Sequence, residues 1–88
     1  MQIDERIWTF PSSHTLKIVG SNPDVLREQV ISILNNLHVS FDHSSIFFKP
    51  SKAGKYHSMS VLVNFNEKYE VENLFAALAS CEHVIWAA

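Results

Sequence analysis

Residues 56–65, with the sequence YHSMSVLVNF, indicate the fold class because apolar and polar residues alternate along them. In an extended chain, successive side chains point to opposite faces. One face of this segment then carries Met59, Val61, Val63 and Phe65. The opposite face carries the serines, Leu62 and Asn64. This pattern is typical of a strand in a sheet that is covered by helices on one side only.

Two helical patterns flank this strand. The first begins at Asn22-Pro23, where Asn is a favoured N-cap and Pro is tolerated at the first helical position, and it runs to about Leu37. Its apolar stripe is Leu26, Val30, Ile33, Leu34 and Leu37. The second begins at Asn66 or Glu67, reaches about Ala79 and has the stripe Val71, Leu74, Phe75 and Leu78. Both stripes follow the 3.6-residue period of an amphipathic helix.

Three further segments read as strands, at residues 14–19, 41–49 and 84–86. Pro50 closes the second of these, which favours an edge position, and Phe47 and Phe48 must point to opposite faces. The order is therefore β-α-β-β-α-β. Right-handed crossovers then predict an α+β ferredoxin-like sandwich, with an antiparallel four-stranded sheet in the order 4-1-3-2 and both helices on one face.

Length and composition limit the remaining possibilities. Eighty-eight residues make one domain, which we divide into an N-terminal arm (residues 1–13) and a ferredoxin-like domain (residues 14–88). Seven Lys and Arg stand against nine Asp and Glu, so no general attraction to phosphate backbones or anionic lipid is expected. With a single cysteine, Cys81, and neither a secretory signal nor an apolar stretch of membrane-spanning length, we expect a cytoplasmic location.

A search for catalytic chemistry yields no recognisable site, so we expect no enzymatic activity, no cofactor and no metal. The five histidines show no metal-ligand spacing, and there is no second cysteine. An alternative hypothesis is a small enzyme with an unfamiliar site that uses His14, His57 or Cys81. His14 and His57 fall on neighbouring predicted strands, which allows them to approach each other.

Two segments are candidate binding sites. Gly20, Ser21 and Asn22 lead into a helix N-terminus, whose free N–H groups can bind a carboxylate or phosphate, although an ordinary helix cap has the same sequence. The hairpin at residues 49–58 holds three of the seven positive charges. Its candidate interaction residues are Lys49, Lys52, Lys55, Tyr56 and His57. The competing interpretation is a soluble turn whose lysines protect a sheet edge.

The open sheet face supports a third hypothesis, an RNA-binding module, because RRM domains have the same topology. The predicted third strand offers no aromatic platform there, and the net charge is negative, so we do not expect nucleic acid as a partner. Val19, Leu62 and one of Phe47 or Phe48 should be exposed on this face and form an apolar patch, which often marks an interface. The arm, with Trp8 and Phe10, is an alternative cover for it.

Several motifs resemble those of the YbeD-like proteins. Phe10-Pro11 followed by Leu16-Lys17-Ile18-Val19-Gly20 is similar to the opening of that family. The run Lys49-Pro50-Ser51, then Gly54, then Tyr56-His57-Ser58-Met59-Ser60 is similar to its hairpin. The resemblance covers nearly all of the chain after Trp8. It implies a small bacterial protein with a βαββαβ fold, similar to the ACT domains that bind amino acids in metabolic enzymes.

The same resemblance implies little about activity. The family has no agreed catalytic residues, and some members are named lipoate regulatory proteins, which suggests a link to lipoate metabolism. The leading hypothesis is a non-enzymatic regulatory or interaction module. It is expected to form a homodimer and to respond to a small-molecule effector or a protein partner.

Overall fold

The computed structural model describes residues 9–88. Residues 1–8, which include most of the predicted arm and Trp8, lie outside the described residues. The elements are β1 (Ser12–Gly20), α1 (Pro23–Asn36), β2 (Ser40–Pro50), β3 (His57–Phe65), α2 (Lys68–Ala79) and β4 (Trp86–Ala87). This order confirms the βαββαβ prediction, with β1 beginning two residues earlier than expected.

The four strands form one antiparallel sheet in the order β2-β3-β1-β4, which confirms the predicted order read from the opposite edge. β3 and β1 pair along their full length, from Ser12 opposite Phe65 to Gly20 opposite His57. β2 lies at one edge, as Pro50 suggested. None of the helices within residues 9–88 combines the length and apolarity that a bilayer crossing requires.

The core lies between one face of the sheet and the two helices. The four apolar residues on the inner face of β3 are completely buried, so the face assignment made from alternation is confirmed. The helices bury their central apolar residues, which are Leu26, Val30 and Leu34 in α1 and Val71, Leu74 and Leu78 in α2. Phe48 packs against this core, whereas Phe47 is 59% exposed on the open face.

Local chemistry explains where the helices begin. The side chain of Asn22 accepts hydrogen bonds from the backbone N–H groups of Asp24 and Val25, at 3.1 and 3.2 Å. In α2, Glu70 reaches back, and its Oε1 accepts from the N–H groups of Asn66 and Glu67 at 2.7 and 2.8 Å. These bonds satisfy N–H groups that have no partner within the helix.

Two strand predictions need correction. β2 contains a bulge, because four residues lie between Asp42 and Phe47 but only one lies between their partners on β3, Leu62 and Ser60. This bulge explains the imperfect alternation of β2, and the Ser45 hydroxyl accepts the Leu62 N–H at 2.8 Å beside it. β4 begins at Trp86, not at Val84, because the Val84 N–H turns back to the carbonyl of Cys81.

Candidate functional site

The open face of the sheet forms a groove at the end where the β2–β3 hairpin closes. Strand pairing produces a row across all four strands that consists of Lys49, Ser58, Val19 and Trp86. The next row on the same face consists of Phe47, Ser60 and Lys17. Long cationic and aromatic side chains therefore flank two small serines of the middle strand.

We call this groove the basic trough, and its volume is about 340 Å³. It is lined by Lys17, Val19, Lys49, Pro50, Ser51, Lys52, Tyr56, His57 and Ser58. Because neighbouring strands lie ~4.8 Å apart, β2 and β1 stand about 10 Å apart across β3. Small-molecule sites span roughly 300–1,000 Å³, so the trough is large enough for a compact ligand.

The hairpin that ends the trough is held by Ser51. Its backbone N–H donates to the carbonyl of Tyr56 at 2.7 Å, and its hydroxyl accepts the Tyr56 N–H at 3.1 Å. Gly54 takes a left-handed conformation, with φ of 73°, and closes the turn. The turn directs Lys52 into the trough, whereas the Lys55 ammonium lies over the Tyr56 ring, 5.4 Å from its centroid.

Positive charge is concentrated at this end of the sheet. Four of the five lysines are Lys17, Lys49, Lys52 and Lys55, and each of them is exposed. Within residues 9–88, none of these four ammonium groups forms an ion pair with a carboxylate. The acidic residues of this part of the chain lie on or beside the helices, in the β2 bulge and in the turn before β4. The trough is therefore a cationic surface on a chain whose net charge is negative.

The predicted ligand-binding turn, Gly20-Ser21-Asn22, lies at the same end of the sheet because Gly20 pairs with His57. Its atoms already have structural roles. The Asn22 side chain accepts hydrogen bonds from the N–H groups of Asp24 and Val25, and Pro23 has no N–H group. The Leu26 N–H donates to the Asn22 carbonyl at 2.9 Å. The first turn of α1 thus offers no unused N–H group to an anion, and a ligand role for these three residues stays a prediction.

The strand register separates His14 from His57. The prediction that these two residues could approach each other is therefore wrong. His14 lies opposite Val63, whereas His57 lies opposite Gly20. Six residues along β1 correspond to about 20 Å. Within residues 9–88, no group of three or more His, Cys, Asp and Glu side chains is placed to hold a metal ion. Cys81 is a half-buried free thiol in the turn after α2.

Sequence reasoning missed part of this site. It identified the hairpin lysines with Tyr56 and His57, but not Lys17 and Trp86, which reach the same surface only through strand pairing. Of the predicted apolar patch, Phe47 is exposed, whereas Val19 and Leu62 are half-buried. Phe10 packs against the core instead of covering this patch, and Trp8 lies outside the described residues.

Comparisons with known proteins agree with this architecture. Residues 5–88 match the profile of a family described as "Protein of unknown function (DUF493)". The chain belongs to this family. A UPF0250 protein of Idiomarina loihiensis is 37% identical over 75 residues, which cover 85% of this chain and 83% of that protein. The UPF0250 protein YbeD of Salmonella arizonae is 33% identical over 75 residues, 85% of this chain and 84% of the relative. The resemblance to YbeD-like proteins is thereby confirmed.

Two solved structures support the fold of this DUF493 member. Protein HP0495 from H. pylori superposes with a TM-score of 0.75 at 19% identity, covering all of this chain and 94% of the other. The ACT domain from GTP pyrophosphokinase of Chlorobium tepidum superposes with a TM-score of 0.66 at 10% identity, covering 86% and 94%. The ACT-like fold is confirmed, but identities this low carry no information about ligands.

Proposed function

We propose that this DUF493 protein is a non-enzymatic regulatory or interaction module that binds an anionic small molecule or an anionic partner in the basic trough. The observation that carries this proposal is the convergence of Lys17, Lys49 and Lys52 on one groove. Within residues 9–88, no carboxylate competes with an anion for these ammonium groups. A cationic groove on a negatively charged chain also selects its ligand by charge.

The enzyme hypothesis receives less support. A nucleophile needs a base within hydrogen-bond reach, and a metal site needs several converging ligands. The register holds His14 on β1 and His57 on β3 near opposite ends of this strand pair. Cys81 lies in the turn after α2, which is a separate part of the fold.

The proposal includes self-association through β2. Within the described residues, this edge strand pairs only with β3, so its outer backbone groups are open to another strand. The bulge interrupts its regularity between Asp42 and Phe47. Light scattering on the purified protein tests this part. A mass of twice 10.0 kDa is expected, and a monomer over a wide concentration range would contradict it.

A thermal-shift screen tests the binding proposal. The compounds are amino acids, lipoyl compounds, phosphorylated metabolites and acidic peptides, and lipoyl compounds are included because of the name carried by some YbeD-like proteins. A ligand present at a hundred times its Kd stabilises the folded state by ~2.7 kcal/mol. For a domain of this size, that corresponds to a rise in Tm of about 10–20 °C.

Charge-reversal variants show whether such a rise comes from the trough. Lys49→Glu removes a lining ammonium group and is expected to abolish most of the Tm rise. Lys68→Glu makes the same change of charge on α2, outside the trough, and is expected to preserve it. If no anionic compound raises Tm, or if both variants lose the response equally, the proposal is wrong.

A further inference from the structure

Exposed aromatic side chains surround the basic trough. Of the five large apolar side chains that are most exposed within residues 9–88, three border or line it: Phe47 at 59%, Trp86 at 52% and Tyr56 at 37%. Trp86 stands beside Val19, which lines the trough, and Phe47 lies next to Lys49 on the same face of β2. A group of exposed apolar side chains rimmed by polar residues often marks a binding site.

The cations of the trough suit phosphate better than a single carboxylate. Three lysine ammonium groups line the groove, and Lys55 lies on its hairpin. A phosphate group carries about 1.5 to 2 negative charges near neutral pH and offers three acceptor oxygens. Lysine is a common phosphate ligand because its ammonium group is a compact point charge with three donors. A ligand with one or more phosphates would therefore engage several of these groups together.

We propose that the basic trough binds a nucleotide, with the phosphates at Lys17, Lys49 and Lys52 and the base stacked on Trp86. This inference rests on the proposed function and specifies its ligand. Bases stack on aromatic side chains irrespective of their sequence, because every base has a π-face. The trough volume of about 340 Å³ suits one compact ligand of this kind.

The distribution of charge argues against a longer nucleic acid. A single strand needs a positively charged path along its backbone. Here the lysines occupy one end of the open face, while the other end carries the neutral residues Ser13, Thr15 and Asn64. On β2, that end also carries the Asp42 carboxylate. The positive surface is thus a compact site and not a stripe.

The experiment is a titration of the full-length, ¹⁵N-labelled chain with five probes, followed by NMR. The probes are ATP, adenosine, inorganic tripolyphosphate, hexaglutamate and hexauridylate. ATP is expected to bind tightest and to shift the amides of Lys17, Lys49 and Ser58. Adenosine lacks the phosphates and tripolyphosphate lacks the base, so each is expected to bind at least about tenfold more weakly, since each loses one set of contacts.

Single substitutions test the phosphate contacts and the base contact separately. Lys49→Glu is expected to weaken ATP binding about ten- to a hundredfold, whereas Lys68→Glu leaves it nearly unchanged. Trp86→Ala is expected to weaken it about fivefold or more, and Trp86→Phe to retain most of the affinity. In Trp8→Phe, Trp86 is the remaining tryptophan. Its fluorescence should be quenched by ATP but not by tripolyphosphate.

Each alternative outcome has a defined meaning. If hexaglutamate binds with the same dependence on Lys49 and ATP does not, the trough is an anion site but the nucleotide assignment is overturned. Binding of hexauridylate far tighter than ATP would replace the nucleotide with a polymer and also overturn it. If none of the five probes and no compound of the thermal-shift screen binds, both the proposed function and the nucleotide assignment are wrong.

Discussion

Replacing Gly20 with alanine tests whether this residue is required by packing and not by a ligand. A Cβ at Gly20 would lie 2.6 Å from the His83 carbonyl oxygen and 3.0 Å from Cδ1 of Leu26. Real Cβ atoms essentially never approach another atom more closely than 3.0 Å, so the carbonyl must retreat by at least about 0.4 Å. Gly20→Ala should therefore destabilise the fold.

The size of this destabilisation depends on how firmly the His83 carbonyl is held in place. On its C-terminal side, the Val84 N–H donates to the Cys81 carbonyl at 3.1 Å and the Ile85 N–H donates to the Val19 carbonyl at 2.8 Å. These bonds tie the obstructing carbonyl to the turn after α2 and to β1, so it cannot move alone. Overpacking costs typically about 1–3 kcal/mol, and an obstructing backbone group favours the upper part, about 2–3 kcal/mol. Tm should fall by about 10–20 °C.

Urea denaturation followed by tryptophan fluorescence gives the free energy of unfolding, and the NMR spectrum confirms that the variant folds. The matched control is Gly54→Ala. Gly54 has positive φ, but an added Cβ there meets nothing within 4 Å. The control therefore carries only the conformational strain of about 1–2 kcal/mol.

The comparison of the two variants shows whether packing requires glycine at position 20. If Gly20→Ala costs no more than Gly54→Ala, the close approach of residue 83 does not constrain position 20, and the packing argument is refuted. If Gly20→Ala changes ligand binding but leaves stability intact, Gly20 belongs to the binding site instead.

Two further predictions concern local hydrogen bonds. Asn22→Ala removes the cap of α1 and should lower stability by about 1 kcal/mol, or Tm by about 4–8 °C, while Asn22→Asp keeps most of it. An unchanged Tm in the alanine variant would contradict the capping role. The pKa of Asp42 is lowered, first by the hydrogen bond from the Ser44 hydroxyl and then by the Ser44 N–H. A lowered folded-state pKa contributes stability above the unfolded pKa, and this stability is lost as pH falls through the folded value. Ser44→Ala should raise the pKa of Asp42 in a ¹³C carboxyl titration and reduce the loss of stability at low pH. An unchanged pKa would exclude the Ser44 hydroxyl as the cause of the lowered value.

Much of the fold could be predicted because its signals are local. The alternation of Met59, Val61 and Val63 identifies a half-buried strand, and Asn22-Pro23 marks a helix start, whatever surrounds them. Once six elements are ordered along the chain, the right-handed crossover rule leaves few arrangements of the sheet. The strand order β2-β3-β1-β4 follows from these facts without knowledge of any distant contact.

The bulge in β2 and the late start of β4 could not be predicted in the same way. Both depend on how a strand pairs with its neighbour. Ser45 replaces a ladder hydrogen bond at Leu62, and Val84 turns back to Cys81 before the chain reaches β1. Nothing in the residues on either side specifies these partners.

The candidate site likewise has one part that local sequence predicts and one part that depends on strand pairing. The sequence by itself determined that residues 49–58 form a basic hairpin, because three lysines, Pro50 and Gly54 are neighbours in the chain. The strand pairing of the folded chain was needed to show that Lys17 completes a trough with it, that Trp86 stands beside this trough, and that His14 lies far from His57. The physical reason is register. It is set by the packing of whole strands against the core, and one register determines every side-chain neighbour across the open face.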